Sequence, residues 1–293
     1  MKVKESISRR VFLVVNAFLL SIIGFVCLAP MLHVLSCSIS DPYTLARVRG
    51  FHLWPIAPFS LEGYQSVLAY KNILIGYGNT IIYVGVGILL NLFLTTTAAF
   101  VLSQKRFMPR NVIMLFLAFT MLFNGGLIPN YLLIVKLGLI DNRLAVILPS
   151  AFNVFNLIIM RSAFLEIPDA LEESARLDGA NDLQVLWNII LPVSKATIAV
   201  ITLFVAVALW NSWFTASIYL TDHSKWPLQL FLREILINNS QRSLDTGVKA
   251  SALAQQTLVK YCVIIVATLP ILCIYPFMQK YFVKGMMIGS IKG

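Results

Sequence analysis

Six stretches of this sequence carry no charged residue and are long enough to cross a lipid bilayer: residues 11–40, 72–104, 111–135, 144–160, 196–221 and 261–279. A hydrocarbon core about 30 Å thick takes roughly 20 apolar residues to span as a helix. Backbone polar groups cannot stay unpaired in lipid, so each window is expected to be helical, and an even number puts both termini on one side. Mean hydropathy is +0.81 and only 12% of residues are charged, where soluble domains carry about 25%. The expected fold is all-α: a polytopic membrane protein with six transmembrane helices, one domain over residues 1–293 and no separate soluble domain.

Lys and Arg placement sets the orientation. Lys2, Lys4, Arg9 and Arg10 cluster at the start and argue for a cytoplasmic N-terminus, hence a cytoplasmic C-terminus. The apolar run of the first window is about twice that of a signal peptide and ends in no clear small-residue cleavage site, so a retained helix is expected. The loops at 41–71 and 222–256 then lie outside. Of the four cysteines, Cys27, Cys37, Cys262 and Cys273, no two form a CxxC pair, and they read as small packing residues with free thiols.

Negative charge is concentrated in one place. Glu166, Asp169, Glu172, Glu173, Asp178 and Asp182 fall in the first 17 positions of EIPDALEESARLDGANDLQVLWNIILPVSK, opposed there only by Arg176. Pro168 suits a helix start, with acids in the opening turns where the helix dipole favours them. Ile167, Ala170, Leu171 and Ser174 follow helical spacing and are expected to pack inward, the acids taking the other face. Gly179 ends this helix, Asn181 or Asp182 caps the next, and Leu183, Leu186, Trp187 and Ile190 repeat until Pro192. Residues 166–195 thus read as a helix–turn–helix elbow whose acidic surface docks on a partner, the other reading being a solvated loop whose acids keep it out of the membrane.

Glu173-Ser174-Ala175, then Gly179, then Ile189 and Leu191-Pro192 resemble the EAA motif of ABC importer membrane subunits, E-A-A-x-x-x-G followed nine residues on by I-x-L-P. Ser174 departs from the first alanine. The resemblance extends through GGLIPNYLLIVKLGLIDN, LPSAFNVFNLIIMRSAF, WNSWFTASIYL, WPLQLFLREILI and PFMQKYFVKGMMIGSIKG to carbohydrate-uptake permeases, in the branch that includes alginate oligosaccharide importers. It implies that Glu173, Ser174, Ala175, Asp178, Gly179 and Ala180 couple the chain to ATPase subunits and do no chemistry. It also implies a second homologous permease, two ATP-binding subunits and a solute-binding protein as partners. This chain then needs no cofactor of its own, ATP and magnesium belonging to the partner ATPases, and the tail after Lys280 meets the same pair.

Polar side chains in lipid-spanning helices tend to face a cavity. Those singled out are Asn153 and Asn156, Trp210, Asn211 and Trp213 with Ser212, and Asn124 with Tyr131. Aromatic faces stack on sugar rings and amides pair with hydroxyls. On a continuous helix Trp210 and Trp213 share a face and line a passage together; interface anchoring is the other reading. Gly125, Gly126 and Pro129 interrupt the third window, either beside a cavity or as a simple helix end. Arg47, Arg49, Lys71, Lys225, Arg233, Arg242 and Lys249 on the outer loops read singly as ordinary solvated charge, and together would favour an acidic solute or the docking of a solute-delivering protein.

Other classes fit less well. An ion-coupled secondary transporter usually places an ionisable relay in the membrane, and the six windows contain no Asp, Glu, Lys or Arg. No GxxxxGK[ST] loop, nucleophile–base pair, metal-spaced His/Cys set or nucleic-acid motif is present, so neither an enzyme nor a nucleic-acid binder is expected.

Overall fold

The computed structural model describes residues 6–48, 50–123, 125–242 and 250–290. Its helices, in chain order, are α1 (Ile7–Ser38), α2 (Pro42–Arg47), α3 (Glu62–Ala69), α4 (Lys71–Ser103), α5 (Arg110–Thr120), α6 (Leu127–Lys136) and α7 (Leu144–Ile147). There follow α8 (Val154–Leu165), α9 (Asp169–Leu177), α10 (Asp182–Val193), α11 (Lys195–Trp210), α12 (Trp213–Tyr219), α13 (Leu228–Arg242) and α14 (Ala250–Ser290). No strand occurs among the described residues.

Three helices are long and apolar enough to cross a membrane unbroken: Ile7–Ser38, Lys71–Ser103 and Ala254–Ile274. Two bent pairs raise the count to five, Leu144–Ser150 with Val154–Leu165 at 45° and Asp182–Val193 with Lys195–Trp210 at 83°. The third window, expected as one helix, forms two, α5 and α6, of 11 and 10 residues. Gly126, at φ 88°, turns the chain between them in a conformation that side chains rarely adopt.

The chain divides into two compact units, residues 1–70 with 234–268, and residues 71–233 with 269–293. In the first, Gly63 of α3 packs where a Cβ would meet Cys262 Sγ of α14 at 2.6 Å. Cys262 donates to Ser38 O (3.4 Å), and Ser38 Oγ lies 2.7 Å from Tyr64 OH. The four cysteines are free, Cys37 and Cys262 buried.

In the second unit α4 packs along α8 and α11. Gly87 lets α4 and α11 approach: a Cβ there would lie 2.2 Å from Leu209 Cδ1, the close-contact use of small residues common in membrane bundles. One apolar cluster joins Ala99, Phe100 and Leu102 of α4, Leu157, Met160 and Phe164 of α8, and Ile201, Val205 and Leu209 of α11 to Ala175, Val185, Leu186 and Ile190 of α9 and α10. The elbow therefore shares a core with the membrane helices.

Candidate coupling elbow and solute passage

The elbow folds as its sequence directs locally. Pro168 stands just before α9, with Asp169 and Glu172 in the first turn. At its end the N–H of Ala180 donates to Ala175 O (2.9 Å) and that of Gly179 to Arg176 O (3.0 Å), the paired bonds of a Schellman cap. Gly179 sits at φ 86°, where any other L-residue costs about 1–2 kcal/mol. Asn181 then caps α10: its side chain accepts from Gln184 N (2.9 Å) and its own N–H donates to Gln184 Oε1 (2.8 Å), a complete capping box.

The packed faces agree with those expected only in part: Ile167, Leu186 and Ile190 pack on the core. Of the α9 residues, Ala175 is buried and Glu172 and Arg176 half-buried, while Ala170, Leu171 and Ser174 are exposed. On α10, Val185, Leu186 and Ile190 are buried, each stabilising the elbow by about 1.5–3 kcal/mol, but Leu183 and Trp187 are exposed. The acids lie exposed as expected, apart from half-buried Glu172, but three of them are paired within the chain. Lys105 pairs with Asp169, and Arg106 with Asp182. Arg176 donates to Glu172 Oε1 (3.1 and 2.7 Å) and to Asp182 Oδ1 (2.7 Å), and Gln104 Nε2 donates to Glu172 Oε2 (3.2 Å). The Arg106 guanidinium first, then that of Arg176, hold the Asp182 carboxyl below the usual range. Glu173, Ser174 and Asp178 remain exposed, beside Leu177 at 88% exposure.

α10 is not uniformly α-helical. Leu186–Ile190 form a π-turn, closed by the N–H of Leu191 on Leu186 O, directly before Pro192. Such turns recur at functional positions.

The passage residues separate into two groups. Asn153 caps α8, accepting from Phe155 N (2.9 Å) and Asn156 N (3.3 Å). Asn156 is buried and donates to Asn91 Oδ1 (3.4 Å), while Asn91 Nδ2 donates to Ser150 O (3.2 Å). With Phe152, Phe155 and Phe204 these three amides line a cavity of about 290 Å³, the Phe155 and Phe204 ring centroids 6.4 Å apart. Asn91 escaped the sequence reading, although a lone amide in an uncharged window is the signal that selected Asn153 and Asn156.

The second group corrects an expectation. Trp210 and Trp213 do not share a helical face, because α11 stops at Trp210 and α12 starts at Trp213. Asn211 turns its amide back to Val207 O (2.9 Å) and Ser212 its hydroxyl to Leu209 O (2.7 Å). The same two carbonyls also accept the backbone N–H groups of Asn211 and Ser212 (3.2 Å each), so the side chains add a second bond to each at the break. Trp210 is buried with its ring 6.2 Å from that of Tyr77, and the Arg233 guanidinium lies 3.4 Å over the Trp213 ring. Tyr131 stacks on Tyr219 at 6.1 Å. Asn124 lies outside the described residues, as do Arg49, Lys249, the Arg242 side chain and residues 291–293 of the tail.

A second charged turn lies toward the other end of α4. Asp141, at φ 56°, accepts from Thr221 N (3.1 Å), Asp222 N (2.9 Å) and Lys225 Nζ (2.7 Å). Lys225 first, then the Asp222 N–H, hold its carboxyl down to about 2. Asn79 donates to Ser224 O (2.8 Å) and Trp226 O (3.0 Å), accepts from Arg143 (2.9 Å), and Tyr83 OH donates to Lys225 O (2.6 Å).

Residues 89–288 match the family described as binding-protein-dependent transport system inner membrane component. The chain belongs to that family. This permease is 41% identical over 284 residues to protein LplC of Bacillus subtilis, covering 97% of this chain and 96% of that one. It is 41% identical over 287 residues to the polygalacturonan/rhamnogalacturonan transport system permease protein YtcP of the same organism, covering 96% and 98%. Among solved structures it superposes with TM-score 0.84 on a chain of a bacterial ABC transporter involved in the import of the acidic polysaccharide alginate, at 37% identity and covering 96% of this chain and 100% of that one. The all-α membrane fold is thereby that of an ABC importer permease. It is a multi-pass transport component of the inner membrane, and its family is not one of enzymes.

Proposed function

We propose that this permease and a second, homologous one form the path by which an ATP-driven importer takes up an acidic oligosaccharide, delivered by a solute-binding protein. The observation that carries this reading is the elbow: an exposed Schellman turn at Gly179, placed as in the EAA motif, between two helices whose Ala175, Val185, Leu186 and Ile190 enter a core shared with α4, α8 and α11. A rigid piece so placed turns the stroke of a nucleotide-hydrolysing partner into helix movement. Glu173, Ser174, Asp178, Gly179 and Ala180 make the contact, with the apolar Leu177 at its centre, while buried Ala175 ties α9 to the core behind it. ATP and magnesium are held by two partner subunits, the elbow and both termini being cytoplasmic.

The three amides and three phenylalanines at Asn91, Asn153 and Asn156 supply hydrogen bonds and stacking faces suited to a sugar. Arg233, its guanidinium carbon 3.4 Å over the Trp213 ring, has no carboxylate partner among the described residues and is suited to pair with a uronate. The relatives named for polygalacturonan and alginate carry acidic solutes, which agrees with that choice.

The test is uptake into proteoliposomes holding the complete complex. Uronate oligosaccharides are expected to enter with ATP and to stop when the ATPase subunits are omitted, with neutral oligosaccharides of equal length entering more slowly. Uptake driven by a proton or sodium gradient without nucleotide would overturn the reading.

A further inference from the structure

Three consecutive side chains at the end of α4 each hold a different acid of the elbow. Gln104 bonds Glu172, Lys105 pairs with Asp169, and Arg106 pairs with Asp182. The first two acids belong to α9 and the third to α10, so a single short turn grips both helices. Arg176 closes the circuit by bonding both Glu172 and Asp182 across the Gly179 turn. A ring of contacts thus runs from Gln104 through Glu172, Arg176 and Asp182 back to Arg106.

Packing does not do this alone. Between the turn and α9 lies an open cleft of about 640 Å³, so the charged side chains bridge space that apolar contacts leave unfilled. Exposed ion pairs contribute little stability singly, about 0–1 kcal/mol. What a closed ring adds is a fixed angle and register between the parts it joins. Arg161 of α8 supports it by donating to Leu102 O at 2.9 Å, near the C-terminal end of α4.

From Gln104 the unbroken α4, with no proline among its residues, leads back to Asn91, thirteen positions or about 20 Å away. Asn91 is the amide that joins Asn156 to Ser150 at the passage cavity.

We propose that Gln104, Lys105 and Arg106 are positioning residues that clamp the elbow to α4, so that both move as one body and the stroke reaches the passage through Asn91. This rests on the reading of the elbow as the coupling element. A connection through the chain alone, by way of residues 166–168, would need no such ring.

The test uses the complete importer in proteoliposomes, with solute uptake and ATP hydrolysis measured together. Lys105→Asp combined with Arg106→Asp is expected to lower solute moved per ATP by about fivefold or more while hydrolysis persists, and adding Asp169→Lys is expected to restore part of it. In a chain whose native cysteines are replaced by alanine, a flexible thiol-to-thiol cross-linker as long as the ion pair it replaces, joining Lys105→Cys to Asp169→Cys, is expected to leave uptake within about twofold of the unlinked form. An unchanged uptake-to-hydrolysis ratio in the charge-reversed chain, or uptake lost on cross-linking, overturns the clamp. The cross-link decides if the reversed chain does not assemble. Gly179→Val separates the two readings: if it abolishes uptake while charge reversal has no effect, only the clamp fails, and if it transports normally, the coupling role itself fails.

Discussion

The two ends of α4 are both held by charged turns, and they are finished differently. At the Asp141 end every strong group is used within the chain: the carboxylate accepts two backbone N–H groups and Lys225, and Lys225 also bonds Asp141 O and lies 3.4 Å from Asp222. At the elbow end the charges pair among themselves, yet Leu177, Leu183 and Trp187 are left exposed. One end is complete as folded. The other leaves Leu177, Leu183 and Trp187 uncovered on the face proposed above to meet the ATPase subunits, which on that proposal is the difference between a fastening and a socket.

The largest expected effect that sharpens this contrast comes from Gly179→Val. A β-branched residue at φ 86° misplaces α10, and uptake by reconstituted complexes is expected to fall to background while the amount of inserted permease is unchanged. Leu177→Asp should follow: it touches no core residue, so the permease keeps its melting temperature, but co-purification of the ATPase subunits is expected to drop about tenfold or more. Intact assembly in that variant would contradict the socket. At the closed end the ranking reverses. Asp141→Ala is expected to lower the melting temperature of the purified complex by several degrees, with Asp141→Asn less harmful because asparagine still tolerates positive φ and accepts the backbone bonds, and ATPase binding should be unchanged in both.

The smallest effect is on acidification. Asp141 and Asp182 both lie below the ordinary carboxylate value of about 3.9, so each adds stability above that pH that is lost as pH falls through its lowered value. At pH 3 Asp141, held near about 2, is expected to remain ionised. Infrared difference spectra of wild type against Asp141→Asn would show a protonated carboxyl band at that pH if the closed end were looser than described.

Legibility in the sequence followed the range of the forces involved. Pro168, Gly179 and Asn181 act through bonds to residues within five positions, so the bounds of the elbow helices could be read from order alone. Which faces packed could not: the acids Asp169, Glu172 and Asp182 are drawn to a turn more than sixty residues away, and helical spacing does not register such a partner. The break at Asn211–Ser212 was hidden for a related reason, since neither glycine nor proline marks it and side-chain bonds to Val207 and Leu209 sustain it. Gly126 is a middle case: the sequence marked an interruption of the third window but left open whether it lay beside a cavity or at a helix end, and the structure turns the chain there between α5 and α6.

The π-turn of α10 has a consequence of its own. Leu186–Ile190 hold one residue more than an ordinary helical turn accommodates, and that surplus sets how Leu183 and Trp187 stand relative to buried Ile190. Removing a single residue there would let the chain close an ordinary α-turn with its flanks still in phase, whereas the same residues wound as a regular helix would turn Leu183 by about 100° relative to Ile190. The elbow is thus tuned by its length as well as its composition, a property to which a scan by substitution is blind and which only deletions and insertions reveal.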